Sequence, residues 1–214
     1  MRFFWVKTPA FISWFFHNYI WRIYTSEQKI YLTFDDGPIP EITEWVLDLL
    51  KKENINATFF CIGDNIEKYP EIFKRILKEK HAIGNHTYNH LNGWKANTTS
   101  YIENFNLCHK TIEKHSSGFH FTKLFRPPYG KIKNKQAIRI IRKEYKIVMW
   151  DILSYDFDIN TSPEKCLENV IKNVSKGSII VFHDSLKAHK NLQFALPKTI
   201  EILKQKGYVF ETIS

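Results

Sequence analysis

A pair of adjacent acids is the first feature of the chain that can do chemistry. Asp35 and Asp36 end a β-rich run and are followed by Gly37-Pro38, a dipeptide that favours a turn. Successive side chains on a strand point to opposite faces, so two neighbouring carboxylates can reach one pocket only where the strand stops. The motif therefore predicts either a pair of acids at one pocket or a simple turn with one solvated acid.

Two histidines stand four residues apart further along the chain. His86 and His90 flank Thr87-Tyr88-Asn89, and on one helical turn two imidazoles at this spacing lie on the same face. Two imidazoles, one carboxylate and an open position for water form the ligand set of a catalytic zinc-type site. Together with one acid of the first motif, the histidines predict a site for one divalent metal ion. Zinc suits this set best, and cobalt or nickel also fit it.

Three more polar clusters follow predicted strands. Arg126 leads into a loop that Pro127 and Pro128 stiffen, the segment 150–157 follows the next strand, and His183 ends an apolar run. In a barrel of parallel strands, polar residues at the carboxyl ends of the strands form the active site. A lone histidine at a strand end is usually structural, but five polar clusters at strand ends predict one shared site.

An alternation of strands and helices must position these clusters. β-Branched and aromatic runs predict strands at residues 30–34, 57–61, 81–84, 123–125, 147–150, 178–182 and 208–211. Amphipathic patterns predict helices at residues 42–50, 72–77, 99–114, 135–144, 163–174 and 200–205. About seven such units, without a linker or an internal repeat, predict a single α/β domain with a barrel of parallel strands.

Length and composition exclude several other classes of protein. The chain has 214 residues, 43% of them hydrophobic, with 31 Lys and Arg against 22 Asp and Glu, a formal net charge of +9. This composition is that of a globular domain with a core. Cys61, Cys108 and Cys166 include no CxxC pair, which predicts buried reduced thiols. Because no apolar run is long enough for a membrane span or fits a cleaved signal, we expect a cytoplasmic or membrane-associated protein.

Residues 1–25 form an N-terminal segment unlike the rest of the chain. Large aromatic side chains alternate there with Arg2, Lys7 and Arg22. The pattern predicts either a layer packed on the barrel or a peripheral contact of residues 1–24 with a membrane surface. We favour packing, because so small a protein leaves few large rings exposed without a partner. Residues 26–214 then form the barrel domain.

The five clusters, in their order along the chain, resemble the motifs of one family. TFDDGP, HTYNH, RPPYG, the SYDF segment and VFHD are similar to the five motifs of the polysaccharide deacetylases, the NodB homology domain of carbohydrate esterase family 4. The resemblance spans Ile30 to the C-terminus. It implies a distorted, incomplete (β/α) barrel and a metal-dependent hydrolase that removes N-acetyl groups from the amino sugars of a glycan such as an N-acetylglucosamine polymer or oligomer.

The resemblance also implies roles for residues at the matching positions. Asp35 would be the catalytic base, and Arg126 would brace it. The metal ligands would be Asp36, His86 and His90.

The remaining catalytic roles fall on three residues of the later motifs. The resemblance implies that the backbone N–H of Tyr129 donates to the oxyanion, that His183 is the general acid and that Asp156 orients His183.

Two positions depart from the family pattern. Family members usually have Trp where this chain has Phe157 and Leu where it has Phe182. The resemblance implies that both positions, with Pro127, contact the substrate, so the departures predict a reshaped pocket for the acyl group. They also keep open a deformylase or deacylase of a lipid-linked sugar or small amide.

A nucleic-acid-binding module is the alternative from another class. The charge of +9 and the many aromatic residues fit it, but no recognition motif accompanies them. We therefore expect an N-acylated glycan or amino sugar as the partner, no nucleic acid, and a monomer.

Overall fold

The computed structural model describes residues 5–116 and 118–214. The helices are α1 (Ala10–Phe15), α2 (Ile42–Lys52), α3 (Gly63–Lys68), α4 (Pro70–Lys78), α5 (Thr98–His115), α6 (Asn134–Ile141), α7 (Pro163–Ile171) and α8 (His189–Gln205). The strands are β1 (Lys29–Asp35), β2 (Thr58–Cys61), β3 (Ala82–Asn85), β4 (Leu124–Phe125), β5 (Lys146–Ile147), β6 (Ile152–Leu153), β7 (Ile179–His183) and β8 (Val209–Phe210).

The strands form one parallel sheet that curls into an incomplete barrel. Their order is β5-β4-β3-β2-β1-β7-β6, and β8 pairs with the start of β1. Every pairing between these strands is parallel, as strands joined by helical crossovers require. The predicted α/β class and the incomplete barrel in a single domain are confirmed.

Side-chain alternation along the strands separates an outer core from an inner one. Phe34, Phe59 and Phe182 belong to a buried cluster with Val46 of α2 and Leu196 of α8, between the sheet and the helices. A second buried cluster fills the barrel and contains Tyr31, Phe60, Leu124, Val148 and Ile179. Because neighbouring residues on a strand face opposite ways, this division decides which strand-end residues can reach the concave side.

The described part of the N-terminal segment lies in the gap of the barrel. Lys7 forms an antiparallel bridge to Ile152 of β6, and Ile20 forms a parallel bridge to Val148, just beyond β5. Since β5 and β6 are the two ends of the strand order, the segment pairs with both open edges and satisfies backbone groups there. The bridged residues of the segment therefore lie against the barrel strands.

Helix α1 of the same segment remains outside the core. None of its residues is buried, and Trp14 and Phe15 are 71% and 67% exposed. In the part of the chain that the structure describes, no helix has the length and apolar character of a membrane span.

An ion pair fastens the segment, and its removal should destabilise the fold. The Lys7 ammonium donates to the Asp151 carboxylate (2.6 Å) and to the Asn173 carbonyl (2.8 Å), and the side chain of Asp151 is only 7% exposed. We expect Lys7→Met to lower the free energy of unfolding by about 1–3 kcal/mol, because it removes a charged donor from a buried acceptor. Urea denaturation measures the change. The same substitution at the exposed Lys135 should change it by less than about 0.5 kcal/mol, and equal effects at the two sites would contradict the prediction.

Several elements differ from the predicted ones. Strand β6 and helix α3 were not predicted, since elements of two and six residues are too short to show a period. Helix α8 begins at His189 rather than near residue 200 and contains Pro197, a residue that usually marks a helix end. Cys61, Cys108 and Cys166 are buried free thiols, as predicted.

Candidate active site

The acids of the first motif meet at the carboxyl end of β1. Asp35 continues the inner face of the strand and is aligned with His183 of β7. Asp36 would face outward on a continued strand, but its φ of 87° breaks the alternation and turns its carboxylate back. Both carboxylates then lie close enough to His90 for their charges to act on its imidazole.

Asp36 and the two histidines bring three ligand atoms together. Asp36 Oδ1 lies 3.7 Å from His86 Nε2 and 3.3 Å from His90 Nε2, and the three ligand atoms lie within 4.8 Å of one another. Ligands that bind a tetrahedral zinc ion at about 2.1 Å stand about 3.4 Å apart. The spacing therefore suits one divalent ion with an open position.

The protonation of these groups also fits a metal site. His86 Nδ1 donates to the Arg126 carbonyl (2.7 Å), which leaves the lone pair on Nε2 facing Asp36. Burial lowers the pKa of His86 to about 3 and also lowers the pKa of His90, so both imidazoles are neutral near pH 7. Among the described residues, the buried oxygen Oδ1 of Asp36 has no hydrogen-bond donor. A cation would satisfy that oxygen.

The two histidines do not share a helical turn, and this prediction was wrong. Residues 86–90 form a loop after β3 in which Thr87 and His90 have φ values of 63° and 57°. Amide side chains replace the helical hydrogen bonds: Asn85 accepts from the Thr87 N–H (2.8 Å) and Asn104 from the Tyr88 N–H (2.9 Å). The imidazoles converge because this loop folds back on itself.

Arg126 lies inside the barrel against Asp35. Its guanidinium is fully buried and donates to Asp35 Oδ1 (2.6 Å), to the hydroxyl of Thr33 (2.8 Å) and to the carbonyl of Met149 (2.9 Å). The guanidinium also stacks over the ring of Phe60, 4.0 Å from its centroid. These contacts fix the Asp35 carboxylate at the end of β1, next to Asp36 of the candidate metal site.

His183 forms an ion pair with Asp156. Its Nδ1 donates to Asp156 Oδ1 (2.8 Å), and its backbone N–H donates to Oδ2 (2.7 Å). Burial opposes the charged imidazolium, but attraction to Asp156 outweighs it and raises the pKa of His183 to about 9. At neutral pH His183 is therefore protonated and can give a proton to a bound group.

The other predicted site residues lie around this centre. Tyr129 has a φ of 61°, and its ring packs against that of His90 with centroids 4.5 Å apart. Pro127 is buried in the same loop. The ring of Phe157 meets that of His183 edge-on at 4.9 Å.

Phe182 does not lie on the site face, so its predicted contact with substrate needs correction. It is fully buried against Phe34 in the outer core, and His183 next to it points inward. Val181, two residues before His183, is buried and shares the inner face of β7 with His183 and Ile179. Residues two apart on a strand face the same side, and this spacing from His183 could have identified Val181 from the sequence.

Residues that hold the first motif in place were also missed. Asp184 is fully buried and accepts from the Gly37 N–H (3.0 Å) and from the hydroxyl of Thr43 (2.6 Å). A Cβ at position 37 would lie 1.9 Å from Asp184 Oδ2, so only glycine lets the turn approach this carboxylate. The Asp184 side chain thereby holds the backbone next to Asp36.

Proteins named as deacetylases are similar in sequence to this chain. A family model for polysaccharide deacetylases matches residues 22–148. A peptidoglycan-N-acetylglucosamine deacetylase from Bacillus cereus is 39% identical over 189 residues, which cover 88% of this chain and 68% of that relative. A chitooligosaccharide deacetylase from Azorhizobium caulinodans is 34% identical over 76% of this chain and 77% of its own length.

The fold comparison agrees with the sequence comparison. A crystal structure of a peptidoglycan N-acetylglucosamine deacetylase in complex with a naphthyl N-oxidanyl-benzamide matches with a TM-score of 0.87 and 36% identity, over 96% of this chain and 95% of that one. The similarity therefore extends over nearly the whole barrel. The chain belongs to the polysaccharide deacetylase family, the NodB homology fold of carbohydrate esterase family 4.

Proposed function

We propose that this protein is a metal-dependent deacetylase that removes N-acetyl groups from the N-acetylglucosamine units of a glycan. One observation carries the proposal: an Asp-His-His triad whose spacing leaves an open position stands at the same strand ends as Asp35, braced by Arg126, and the protonated His183. Relatives named as peptidoglycan and chitooligosaccharide deacetylases support the substrate class.

The ligands proposed for the metal are Asp36, His86 and His90. A divalent ion held there would lower the pKa of a water molecule and polarise the acetyl carbonyl. Asp35 is placed to take the proton of the attacking water, since its other oxygen is left available when Arg126 binds Oδ1. Asp35 and His183 then divide the proton transfers between them: Asp35 takes a proton from the water, and His183 gives one to the leaving nitrogen.

Tyr129 and His183 complete the proposed reaction. The Tyr129 N–H donates to the oxyanion that develops on the carbonyl oxygen. His183 gives its Nε2 proton to the departing nitrogen, which leaves as an amine, while Asp156 holds Nδ1. The C–N amide bond breaks, and acetate and a glucosamine unit are formed.

Acetate release with and without a chelator tests the proposal. Oligomers of N-acetylglucosamine and isolated peptidoglycan glycan strands serve as substrates. We expect activity that a chelator abolishes and that zinc, cobalt or nickel restores. Full activity in excess chelator, or no acetate from any of these glycans with metal added, would contradict it.

Replacing Asp156 should change the pH dependence of turnover. His183 acts as an acid while protonated, and its pKa of about 9 places the alkaline fall of kcat near pH 9. In Asp156→Asn the attraction that raises this pKa is lost and burial lowers it, so the fall should move to lower pH. Profiles of kcat between pH 6 and 10 measure the shift. Glu201→Gln on the exposed face of α8 is the control, and an unmoved profile in Asp156→Asn would contradict the assignment.

A further inference from the structure

An exposed indole and a lysine form a surface on the loops that follow His90 and Tyr129. Trp94 is 60% exposed, although its Nε1–H donates to the Ile132 carbonyl (3.2 Å). The ammonium of Lys131 lies 5.0 Å from the centroid of the indole. We call these two side chains the Trp94–Lys131 platform.

The backbone under the platform is rigid. Gln136 is fully buried, and its amide donates to the Gly93 carbonyl (2.9 Å) while its oxygen accepts from the Lys133 N–H (2.9 Å). Gly93 lies so close to the other loop that a Cβ there would be 2.4 Å from the Lys131 carbonyl. The loop that carries Trp94 and the loop that carries Lys131 are thus joined through buried groups. A ligand that binds the platform would not have to order these loops.

The platform is built on the same loops as the proposed metal ligands and oxyanion donor. Trp94 follows His90 by four residues, and Lys131 follows Tyr129 by two, whose ring contacts the His90 ring. Two residues of extended chain span at most about 7 Å. Four residues span at most about 14 Å, so both platform residues start within the length of two or three sugars from His90 and Tyr129.

We propose that the Trp94–Lys131 platform is a subsite for a sugar that carries a carboxylate and neighbours the sugar to be deacetylated; this rests on the proposed function. The exposed indole offers a flat apolar surface for the C–H face of a sugar ring. Within the described ranges, no carboxylate lies within 4.0 Å of the Lys131 ammonium, so its charge is available to an anion. An acidic glycan gains both contacts, whereas a neutral glycan gains only the first.

Paired substrates separate these two contacts. One is a glycan strand of alternating N-acetylglucosamine and muramic acid with free lactyl carboxylates, and the other is the same strand with those carboxylates reduced to alcohols. We expect Lys131→Met to raise KM for the acidic strand about threefold to fivefold, the range of an exposed ion pair, with kcat unchanged. KM for the reduced strand should not change.

Matched variants test each side chain. Lys131→Arg should retain the preference for the acidic strand, and Lys135→Met on α6 should behave like the wild type. Trp94→Ala should raise KM about fivefold for both strands, and Trp94→Phe should restore part of the loss. Equal effects of Lys131→Met on the two strands, or no effect of either substitution, would overturn the proposal.

Direct binding distinguishes failure of the subsite from failure of the proposed function. If the wild type releases no acetate from either strand, the proposed function fails. Calorimetric titration of both strands in the presence of chelator then tests the platform alone. The subsite predicts tighter binding of the acidic strand, and the preference should decrease with added salt. Equal binding of the two strands, unaffected by Trp94→Ala, would overturn it.

Discussion

His183→Ala is expected to reduce kcat by about 10²–10⁴-fold, the usual contribution of a general acid, while metal binding persists. The imidazole is not part of the Asp36-His86-His90 triad, and it is the protonated group that Asp156 holds at the end of β7. Without it, the amide nitrogen would have to leave unprotonated. Acetate release measures kcat, and titration with zinc measures binding to the triad.

Asp35→Asn should cause a loss of the same size for a different reason. The amide keeps the shape of the side chain and can still accept from Arg126, but it cannot take a proton from water. Zinc affinity within about threefold of the wild type, with kcat lost, is the expected pattern. Turnover near the wild-type value in either variant would refute the assigned roles, and loss of zinc binding would show that the residue acts through the metal site.

Arg126→Met is expected to lower the free energy of unfolding by about 3–5 kcal/mol, the cost of breaking a buried ion pair by removing one partner. The guanidinium is fully buried among Asp35, Thr33 and Met149. Methionine fills much of the volume but leaves the Asp35 carboxylate buried without its partner. Guanidinium chloride denaturation measures the change.

A second readout separates stability from catalysis. Below the melting transition, folded Arg126→Met should still have a reduced kcat, because Asp35 loses the contact that orients it. Arg142→Met, at the exposed end of α6, is the matched control and should change neither quantity measurably. An unfolding free energy within about 1 kcal/mol of the wild type would contradict the prediction for Arg126→Met.

His86 and His90 show how much the spacing of two residues in the sequence can predict. The four-residue interval predicted that His86 and His90 lie close together, as they do, but it predicted the wrong backbone. Asn85 and Asn104 accept the loop N–H groups and hold a conformation with positive φ at Thr87 and His90. Asn104 lies on α5, and only the folded chain brings it next to this loop.

Val181 and Phe182 show a different limit of prediction from the sequence. The family resemblance implied that Phe182 lines the site, although neighbouring residues on a strand face opposite sides. The structure places Phe182 against the helices. For Asp35 and Asp36 the same rule of alternation correctly required a break in the strand, because two adjacent acids cannot otherwise share a pocket.

Residue types and hydrophobic periodicity along the chain determined the class of fold, the five polar strand ends and the donor types of the candidate metal site. Hydrophobic period and residue type are properties of short segments, so they can be read without coordinates. Tertiary structure alone decided which atoms meet: Arg126 with Thr33 and Met149, Asp184 with Gly37, and the N-terminal segment with both open edges of the barrel. Those contacts join residues far apart in the chain, and their geometry exists only after the strands have paired and curled.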